Sequence, residues 1–419
     1  MHCNPMLEEK LKILLIVPPN RKDFYDQLKN IVNAEIYILW HIRKKDSQFD
    51  ELLSFVKGQY YWADYLTPYN LLKKIKPDRI IFFEIVDLRQ IALIVAARSK
   101  GIRSFYLEHG AAGDRQTAIR RWNETSFFKR KLPQLFKRFT KNLTDIISAK
   151  LFYYSVHKKF NSLNSYLKFL FLPFKMLGAS PNKILSRNLF RERVPDYAIV
   201  FSEINFEAFE LYTGITKKDA FLTGVPFFDK YYRNKNAELD HIVYIEHPYL
   251  EYDLLEWTKD HHRQVAEALN SFAVANKIKL YIKLHPFSNR SNWSDYSINH
   301  DYVEILQHGE FEQLYLDAKL ILGFSSSLIT GLLCAKKNIV LLGWHPEPKI
   351  FGVDFSETGL CHSSFSLSDL KNKYPEWISN NLTEKNVTAY QVFLYRCNYP
   401  FDGKATERVI KAIVSHEVY

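Results

Sequence analysis

Cysteine is scarce in this chain, and its few copies are scattered. The four are Cys3, Cys334, Cys361 and Cys397. They show neither the regular pairing of a disulfide scaffold nor the spacing of zinc ligands. Their distribution argues against both kinds of site and predicts a reducing compartment, which we interpret as the cytoplasm.

Long apolar runs are absent as well. Residues 1–12 are polar and do not have the layout of a signal peptide, and the apolar run at 13–17 ends at two prolines. No run reaches the length of about 18 apolar residues that a spanning helix needs. The most apolar stretch, 169–177, contains Pro173 and Lys175. We therefore expect a protein that is not secreted and does not cross a bilayer.

Several nucleotide and metal motifs are also missing. The sequence contains no Walker loop, GxGxxG, HExxH or paired CxxC pattern, and no DxD carboxylate pair follows a predicted strand. These absences argue against ATPase, NAD-dependent and zinc-hydrolase chemistry. They favour an enzyme without a metal or other cofactor, in which side chains and a helix dipole stabilise a phosphate.

Positive charge is concentrated in one part of the chain. The net charge is +11, and residues 115–193 hold eighteen Lys or Arg against three acids. The same segment is rich in aromatic residues, a combination that suits an anionic membrane surface. A single-strand nucleic-acid groove and a solvated helical hairpin are the alternatives, but no nucleic-acid-binding motif accompanies the segment. We expect contact with a membrane surface and none with nucleic acid.

Short apolar runs alternate with helix-length amphipathic stretches on both sides of this segment, which is typical of parallel sheets covered by helices. The predicted strands are 12–17, 35–40, 79–85, 104–107, 198–201 and 220–222, then 242–245, 279–284, 320–322 and 339–342. This pattern predicts an α/β protein with two Rossmann-like domains facing across a ligand-binding cleft.

The rhythm of strands and helices breaks near residue 224, which suggests a domain boundary. We predict an acceptor domain at 1–225, with the basic segment 115–193 inserted in it, and a nucleotide-donor domain at 235–383. Helices at 384–419 close the chain and could cross back to the first domain.

A carboxylate and an imidazole directly follow the predicted strand 104–107. Glu108 and His109 precede small residues and Asp114. Small residues let a ligand approach the backbone, and the ordinary pKa of histidine, about 6.5, suits a general base that deprotonates an acceptor hydroxyl. Glu108 or Asp114 could orient His109 or act as the base instead. The alternative is a glycine-bracketed turn in which His109 only satisfies backbone groups.

Two His-Pro pairs end strands of the second domain. Strand 279–284 runs into His285 and Pro286, and because proline stops the strand, His285 should lie at the sheet edge. Its imidazole could donate to a phosphate oxygen of a departing nucleotide. Glu246 and His247 follow strand 242–245 in the same way and could contact the nucleotide or the transferred group, or form only a turn.

A serine cluster follows strand 320–322 and precedes a predicted helix. Serine hydroxyls and unpaired amides at a helix N-terminus can bind an anion, and a glycine there lets the backbone come close. One serine would suffice as a helix cap, so three favour a phosphate site. The residues are Gly323, Ser325, Ser326 and Ser327.

Taken together, these residues resemble a known enzyme group. The run FLTGVP at 221–226, which includes Gly224, stands with Asp229, with the KLHP run ending in His285-Pro286, and with the serine cluster. The set resembles bacterial GT-B enzymes of capsule and wall polymer synthesis: CMP-sialic acid sialyltransferases and polysialyltransferases, CMP-Kdo transferases and CDP-glycerol glycerophosphotransferases. The resemblance covers roughly residues 75–345.

The resemblance implies roles for matching residues. His285-Pro286 and Ser325-Ser326 match motifs that bind the nucleotide phosphate in the sialyltransferase-like enzymes. Gly224, in the FLTGVP run, is a further candidate for contact with the donor. His109 looks like the catalytic histidine of the glycerophosphotransferase-like members, whereas Glu108 and Glu246 are candidates for the acidic residue of the sialyltransferase-like members. The basic segment is similar in function to regions that attach such enzymes to membranes carrying lipid-linked acceptors.

These inferences predict a metal-independent inverting glycosyltransferase that moves a CMP-activated sugar, of sialic acid or Kdo type, onto a bacterial surface glycan. Its expected partners are a nucleotide-sugar donor, a glycan or lipid-linked acceptor and the inner face of the cytoplasmic membrane. The alternatives are a CDP-glycerol or ribitol phosphotransferase, a UDP-sugar 2-epimerase-like enzyme, and a glycan-binding relative without turnover.

Overall fold

The computed structural model describes residues 10–17, 28, 31, 33–40, 55–109, 143–160, 162–176, 181–233, 237, 239–294, 301–324, 326–348 and 355–415. The chain divides into two compact units. The N-terminal unit comprises residues 1–223 and 406–419, and the C-terminal unit comprises residues 224–405.

The N-terminal unit contains a parallel sheet of seven strands. In sheet order these are β3, β2, β1, β4, β5, β6 and β7, and every pair of neighbours is parallel. The strands are β1 Leu11–Val17, β2 Ala34–Trp40, β3 Val56–Tyr61, β4 Arg79–Phe82, β5 Arg103–Leu107, β6 Tyr197–Val200 and β7 Ala220–Leu222. The order 3-2-1-4-5-6 is that of a dinucleotide-binding Rossmann sheet.

Helices cover this sheet in the described residues. They are α1 Pro68–Ile75, α2 Leu88–Ser99, α3 Leu143–Tyr154, α4 Leu163–Lys175, α5 Pro181–Arg187 and α6 Glu203–Thr213. Helix α2 begins at a capping box, in which Asp87 and Gln90 satisfy the first backbone groups, and its residues 89–97 are buried. Helices α3 to α5 belong to the basic segment, whose residues 115–142 lie outside the described ranges.

The C-terminal unit repeats the same topology with six parallel strands. Their order is β10, β9, β8, β11, β12 and β13, which is again 3-2-1-4-5-6 when the strands are counted along the unit. The strands are β8 Leu239–Ile245, β9 Lys279–Lys283, β10 Val303–Leu306, β11 Ala318–Gly323, β12 Ile339–Leu342 and β13 His362–Ser364. In such a sheet the order reverses between β8 and β11, and ligands bind beyond the carboxyl ends of these strands.

The helices described in the C-terminal unit are mostly short. They are α7 Asp229–Arg233, α8 Lys259–Asn276, α9 Ser291–Ser294, α10 Glu312–Asp317, α11 Ser327–Cys334, α12 Asp369–Asn372, α13 Tyr374–Ser379, α14 Leu382–Lys385 and α15 Val387–Cys397. A last helix, α16 Ala405–Ser415, lies almost wholly in the N-terminal unit. Among the helices of the described ranges, none has both the length and the apolar character needed to cross a bilayer.

The predicted α/β class with two Rossmann-like sheets is confirmed. Three strands were not predicted, namely β3, β10 and β13, and each lies at the edge of its sheet. The sequences VKGQYY and VEIL mix polar with apolar residues, and HSS has no apolar residue. Polar residues are tolerated in these strands because an edge strand has only one neighbour and is less completely covered.

Candidate functional site

The carboxyl edge of the C-terminal sheet gathers several of the predicted residues. The strand register sets Lys283, Ile245 and Gly323 side by side, at the ends of β9, β8 and β11. The chain therefore leaves the sheet at one edge into the segments that hold His285, Glu246 and Ser326. This edge includes the point where the strand order reverses, between β8 and β11.

Glu246 fastens the loop that carries His285. One of its oxygens, Oε2, accepts the His285 backbone N–H at 2.9 Å and the Ser288 hydroxyl at 2.5 Å. Its side chain is almost fully buried, and burial raises its pKa from the usual value near 4.5 to about 7, against the opposing effect of these hydrogen bonds. Glu246 thus positions His285 and titrates near neutral pH.

His285 is half-buried, and its tautomer follows from one hydrogen bond. Its Nδ1 accepts the backbone N–H of Phe287 at 3.2 Å, so a neutral ring carries its proton on Nε2. Burial, with a contribution from Lys283, lowers the pKa of His285. At neutral pH the imidazole can therefore act as a hydrogen-bond donor through Nε2.

His247 lies beside His285 at the same edge. The centroids of the two imidazole rings are 6.2 Å apart, and His247 stacks on Tyr249 at 4.3 Å. Burial first, and then the proximity of His285, lowers the pKa of His247 to about 4. Its Nδ1 is buried without a hydrogen-bond partner among the described residues. The ring is consequently neutral and has unused hydrogen-bonding capacity.

Ser326 occupies the N-cap position of α11, yet its hydroxyl does not cap the helix. The backbone of Ser326 is extended, as a cap requires, but no side-chain cap bond forms, and Oγ is buried without a partner in the described part of the chain. Ser325, and the side chain of Ser327, lie outside the described residues. An anion at this helix end would satisfy the Ser326 hydroxyl.

The glycines around α11 serve its packing. A Cβ on Gly323 would lie 3.0 Å from Ile329 and 3.6 Å from Ile245, and one on Gly331 would lie 2.6 Å from Phe228. Gly323 therefore lets the chain's own apolar side chains come close, whereas the sequence suggested that it admits a ligand. This close packing sets the position of the α11 N-terminus.

The FLTGVP segment and Asp229 are held by hydrogen bonds within the chain. Gly224 has φ +76°, a left-handed conformation that favours glycine. The Val225 N–H donates to Asn398 Oδ1 at 2.7 Å, and Asp229 Oδ1 accepts the Ala405 N–H at 2.9 Å, at the start of α16. These contacts give the FLTGVP segment and Asp229 a structural role. A contact between Gly224 and the donor stays a prediction.

In the N-terminal unit, Glu108 and His109 follow β5 as predicted. Glu108 is buried, its Oε1 accepts the His109 N–H at 3.0 Å, and His109 Nδ1 lies 3.8 Å from the same oxygen. The Tyr106 hydroxyl is hydrogen-bonded to Glu108 and to Tyr212, and burial, followed by the Glu108 charge, raises the pKa of both tyrosines. Asp114 lies outside the described residues.

Sequence reasoning missed several residues of these two edges. Ser288 and Tyr212 carry no local signal, because their partners Glu246 and Tyr106 are distant in sequence. Tyr106 lies two residues before Glu108, inside the predicted strand, where its ring looks like an ordinary core residue. His345 had a signal, since it forms a third His-Pro pair after a strand of the C-terminal unit, here β12. It is buried among the rings of Tyr249 and Phe324, at centroid distances of 5.0 and 5.4 Å.

Comparison with known proteins adds information on the fold. No protein-family model matches the chain, and no curated protein sequence matches it. A solved structure of the glycotransferase of kitacinnamycin is similar, with a TM-score of 0.51 and 10% identity over 96% of this chain and 98% of that one.

Two further structures are similar at the same level. The wall teichoic acid polymerase TagF has a TM-score of 0.51 and 10% identity over 97% of this chain and 89% of that one. A putative UDP-N-acetylglucosamine 2-epimerase from Listeria monocytogenes has a TM-score of 0.52 and 12% identity over 97% of this chain and 96% of that one. At such identities the likeness shows the fold, which is of the predicted GT-B class.

Proposed function

We propose that this chain is a glycosyltransferase whose C-terminal unit binds the phosphate of a nucleotide-activated sugar. The proposal rests on two polar groups that follow strands at the same sheet edge. They are the His285 ring, with its proton on Nε2, and the Ser326 hydroxyl at the start of α11, which makes no cap bond. Both are donors suited to an anion, and the likeness to a glycotransferase and a polymerase agrees with this chemistry.

In the proposed reaction, an acceptor hydroxyl oxygen bonds to the anomeric carbon while the bond from that carbon to the donor phosphate breaks. Glu108 or His109 takes the hydroxyl proton, and the electron pair leaves with the nucleotide phosphate. His285 Nε2–H, Ser326 Oγ–H and the helix N-terminus then offset the charge that develops on this phosphate. No metal is assigned to these steps.

The donor is proposed to be a CMP-activated sugar of sialic acid or Kdo type, and the acceptor a bacterial surface glycan. This choice depends on the sequence resemblance at His285-Pro286 and at the serine cluster. The rival functions use the same fold with another nucleotide or another outcome: CDP-linked glycerol or ribitol phosphate transfer, epimerisation of a UDP-sugar, or binding without turnover.

The test is metal-free calorimetry and thermal shift with CMP, CDP, UDP, GDP and ADP, because a ligand of the folded state raises its stability. We expect selective binding of CMP, lost in His285→Ala but kept in the control His157→Ala, a histidine of the N-terminal unit. Preference for CDP would support a polyol phosphate donor. Preference for UDP, with an altered sugar still on its nucleotide, would support an epimerase. Absence of binding to every nucleotide would refute the proposal.

We further propose that helices α3 and α4 contact an anionic membrane at the inner face of the cytoplasmic membrane. Large apolar side chains of both helices are exposed, and on α4 they recur at the spacing of one helix face. They are Ile147, Leu151, Leu163, Leu167, Phe171 and Phe174. Basic residues accompany them, such as Lys150, whose Nζ lies 5.9 Å from the Phe174 ring centroid.

Vesicle co-sedimentation tests this surface. We expect the wild-type chain to bind vesicles containing phosphatidylglycerol and not pure phosphatidylcholine. Phe171→Glu and Phe174→Glu should weaken binding by about tenfold or more with little change in thermal stability, because both rings are exposed. Tyr395→Glu, at an equally exposed ring, is the control. Unchanged binding of both Phe variants would refute this membrane contact.

A further inference from the structure

Two exposed aromatic rings lie next to His285. Phe287 follows it by two residues and is 63% exposed, and Tyr252, in the loop after β8, is 48% exposed. The centroids of the two rings are 6.4 Å apart. Exposing two large rings beside a polar site is unfavourable in water unless something covers them.

These rings continue a row that starts in the protein interior. Tyr249, which is buried, stacks on His247, and the His247, His285 and Phe287 rings follow at centroid distances of 6.2 and 5.7 Å. The interplanar angles along the row are 20°, 29° and 27°, so consecutive rings are close to parallel. Phe287 is therefore the solvent-exposed continuation of the row to which the proposed phosphate ligand His285 belongs.

The two loops that bear the exposed rings are tied together. Glu251 Oε1 accepts the Asn289 N–H at 2.7 Å and the Asn292 side-chain amide at 3.1 Å. Glu251 precedes Tyr252, and Asn289 lies two residues after Phe287. The pair of rings is thus held in place before any ligand arrives, which reduces the entropy lost on binding.

The loop around Tyr252 also contains strained backbone. Asp253, Leu255 and Glu256 have φ of +50°, +55° and +57°, a conformation that is unfavourable for residues other than glycine. Backbone hydrogen bonds hold the loop, among them Leu254 N–H to Tyr249 O at 3.0 Å. Such strain persists only where the surrounding structure enforces it, and it is concentrated at ligand sites.

We infer that Phe287 and Tyr252 form a stacking surface for the base of the donor nucleotide, next to its phosphate at His285. The inference rests on the proposed function and extends it from the phosphate to the nucleoside. Every base has a flat π-face, so stacking supplies affinity without choosing among bases. Base selection must then come from polar groups, and this surface should serve CMP and UDP alike.

Calorimetric titration of wild-type protein with CMP, with UDP and with ribose 5-phosphate, which lacks a base, tests the inference. We expect Phe287→Ala to weaken the binding of CMP, and the weaker binding of UDP, each by roughly tenfold or more, since one base-aromatic stack has about this effect. Its affinity for ribose 5-phosphate should be unchanged. Phe287→Trp should restore nucleotide binding, and nucleotide should quench its fluorescence relative to the wild type.

The control and the contradicting outcomes are distinct. Tyr395→Ala removes a ring that is 58% exposed on α15 and should leave nucleotide binding unchanged. If Phe287→Ala binds nucleotides as the wild type does, or loses ribose 5-phosphate equally, the stacking surface is refuted while the phosphate site stands. If Phe287→Ala instead reduces only vesicle binding, the rings face lipid and the inference is wrong. If the wild type binds no nucleotide, the proposed function fails together with this inference.

Discussion

The carboxyl edges of the two sheets carry the same residue types, a glutamate and a histidine, but the two glutamates are engaged differently. Glu108 accepts the N–H of His109, its immediate neighbour in the chain. Glu246 accepts groups from His285 and Ser288, which lie 39 and 42 residues away. A carboxylate with a local partner can take up a proton without disturbing the fold, whereas Glu246 joins two loops. We therefore expect chemistry from Glu108 and positioning from Glu246.

The contrast predicts different kinetic effects at the two edges. Glu108→Gln should lower the rate of glycosyl transfer by about 10² to 10⁴-fold, the usual contribution of a general base, while nucleotide affinity is retained. Glu246→Gln should reduce the rate far less, because glutamine can still accept both hydrogen bonds. Initial rates with the cognate donor measure both effects.

The variant His109→Ala shows which residue at the carboxyl edge of the N-terminal sheet is the base. If it abolishes transfer and Glu108→Gln does not, His109 is the base and Glu108 orients it. If Glu246→Gln lowers the transfer rate as much as Glu108→Gln does, then it is wrong to assign chemistry to Glu108 and only positioning to Glu246.

Ser326 gives a sharper test of the C-terminal edge. Ser326→Ala should weaken nucleotide binding roughly 10- to 100-fold, the loss expected for one hydrogen bond to a charged group. Its stability should hardly change, because the hydroxyl does not cap α11. Calorimetry with the nucleotide and denaturant unfolding measure the two quantities.

The matched variant is Thr258→Ala at the start of α8. Thr258 Oγ1 accepts the His261 N–H at 3.2 Å and is therefore a working cap. This change should cost about 1 kcal/mol of stability and leave nucleotide binding intact. Equal stability losses in Ser326→Ala and Thr258→Ala would show that Ser326 is also only a cap.

Glu246 also makes stability depend on pH. Because its folded pKa is raised from near 4.5 to about 7, the folded state retains a proton that the unfolded chain has lost. Its stabilising contribution is complete below pH 4.5 and is lost as pH rises through 7. The cost at higher pH is on the order of 3 kcal/mol.

Two histidines act in the opposite direction over an overlapping range. His247 and His262 have pKa values lowered to about 4, so their contribution is complete above pH 6.5 and is lost as pH falls through 4. Both histidines are present in Glu246→Gln and in the wild type. Their contribution therefore subtracts out when the unfolding free energy of the wild type is subtracted from that of the variant. We expect this difference to grow in favour of the variant between pH 4.5 and 7. A difference that does not vary with pH would show that Glu246 is not protonated near neutral pH.

The central strands could be predicted because a strand that is buried on both faces consists mostly of consecutive apolar residues. Strands β1, β4, β8, β11 and β12 each contain an uninterrupted run of at least three apolar residues, and each was predicted. The edge strands β3, β10 and β13 were missed because a strand with one neighbour tolerates polar residues. Similarly, the strand-end positions of His285 and Ser326 could be predicted because an apolar run ends shortly before each of them. The hydrogen bond from Ser288 to Glu246 could not be predicted, since no local pattern joins the two residues.

Local sequence was thus enough to specify the alternation of strands and helices, the strand-end positions of Glu108, Glu246, His285 and Ser326, and the basic aromatic segment. These features depend on neighbours in the chain, through hydrophobic periodicity and through the stop that proline imposes. Only the tertiary structure decided which polar groups have partners: Glu246 accepts the His285 N–H, whereas the Ser326 hydroxyl makes no cap bond. It also decided that Phe287 is exposed at the end of a row of rings. Hydrogen bonding and desolvation depend on groups that meet only after folding, so the chemistry of each side chain is set by contacts that its own segment does not contain.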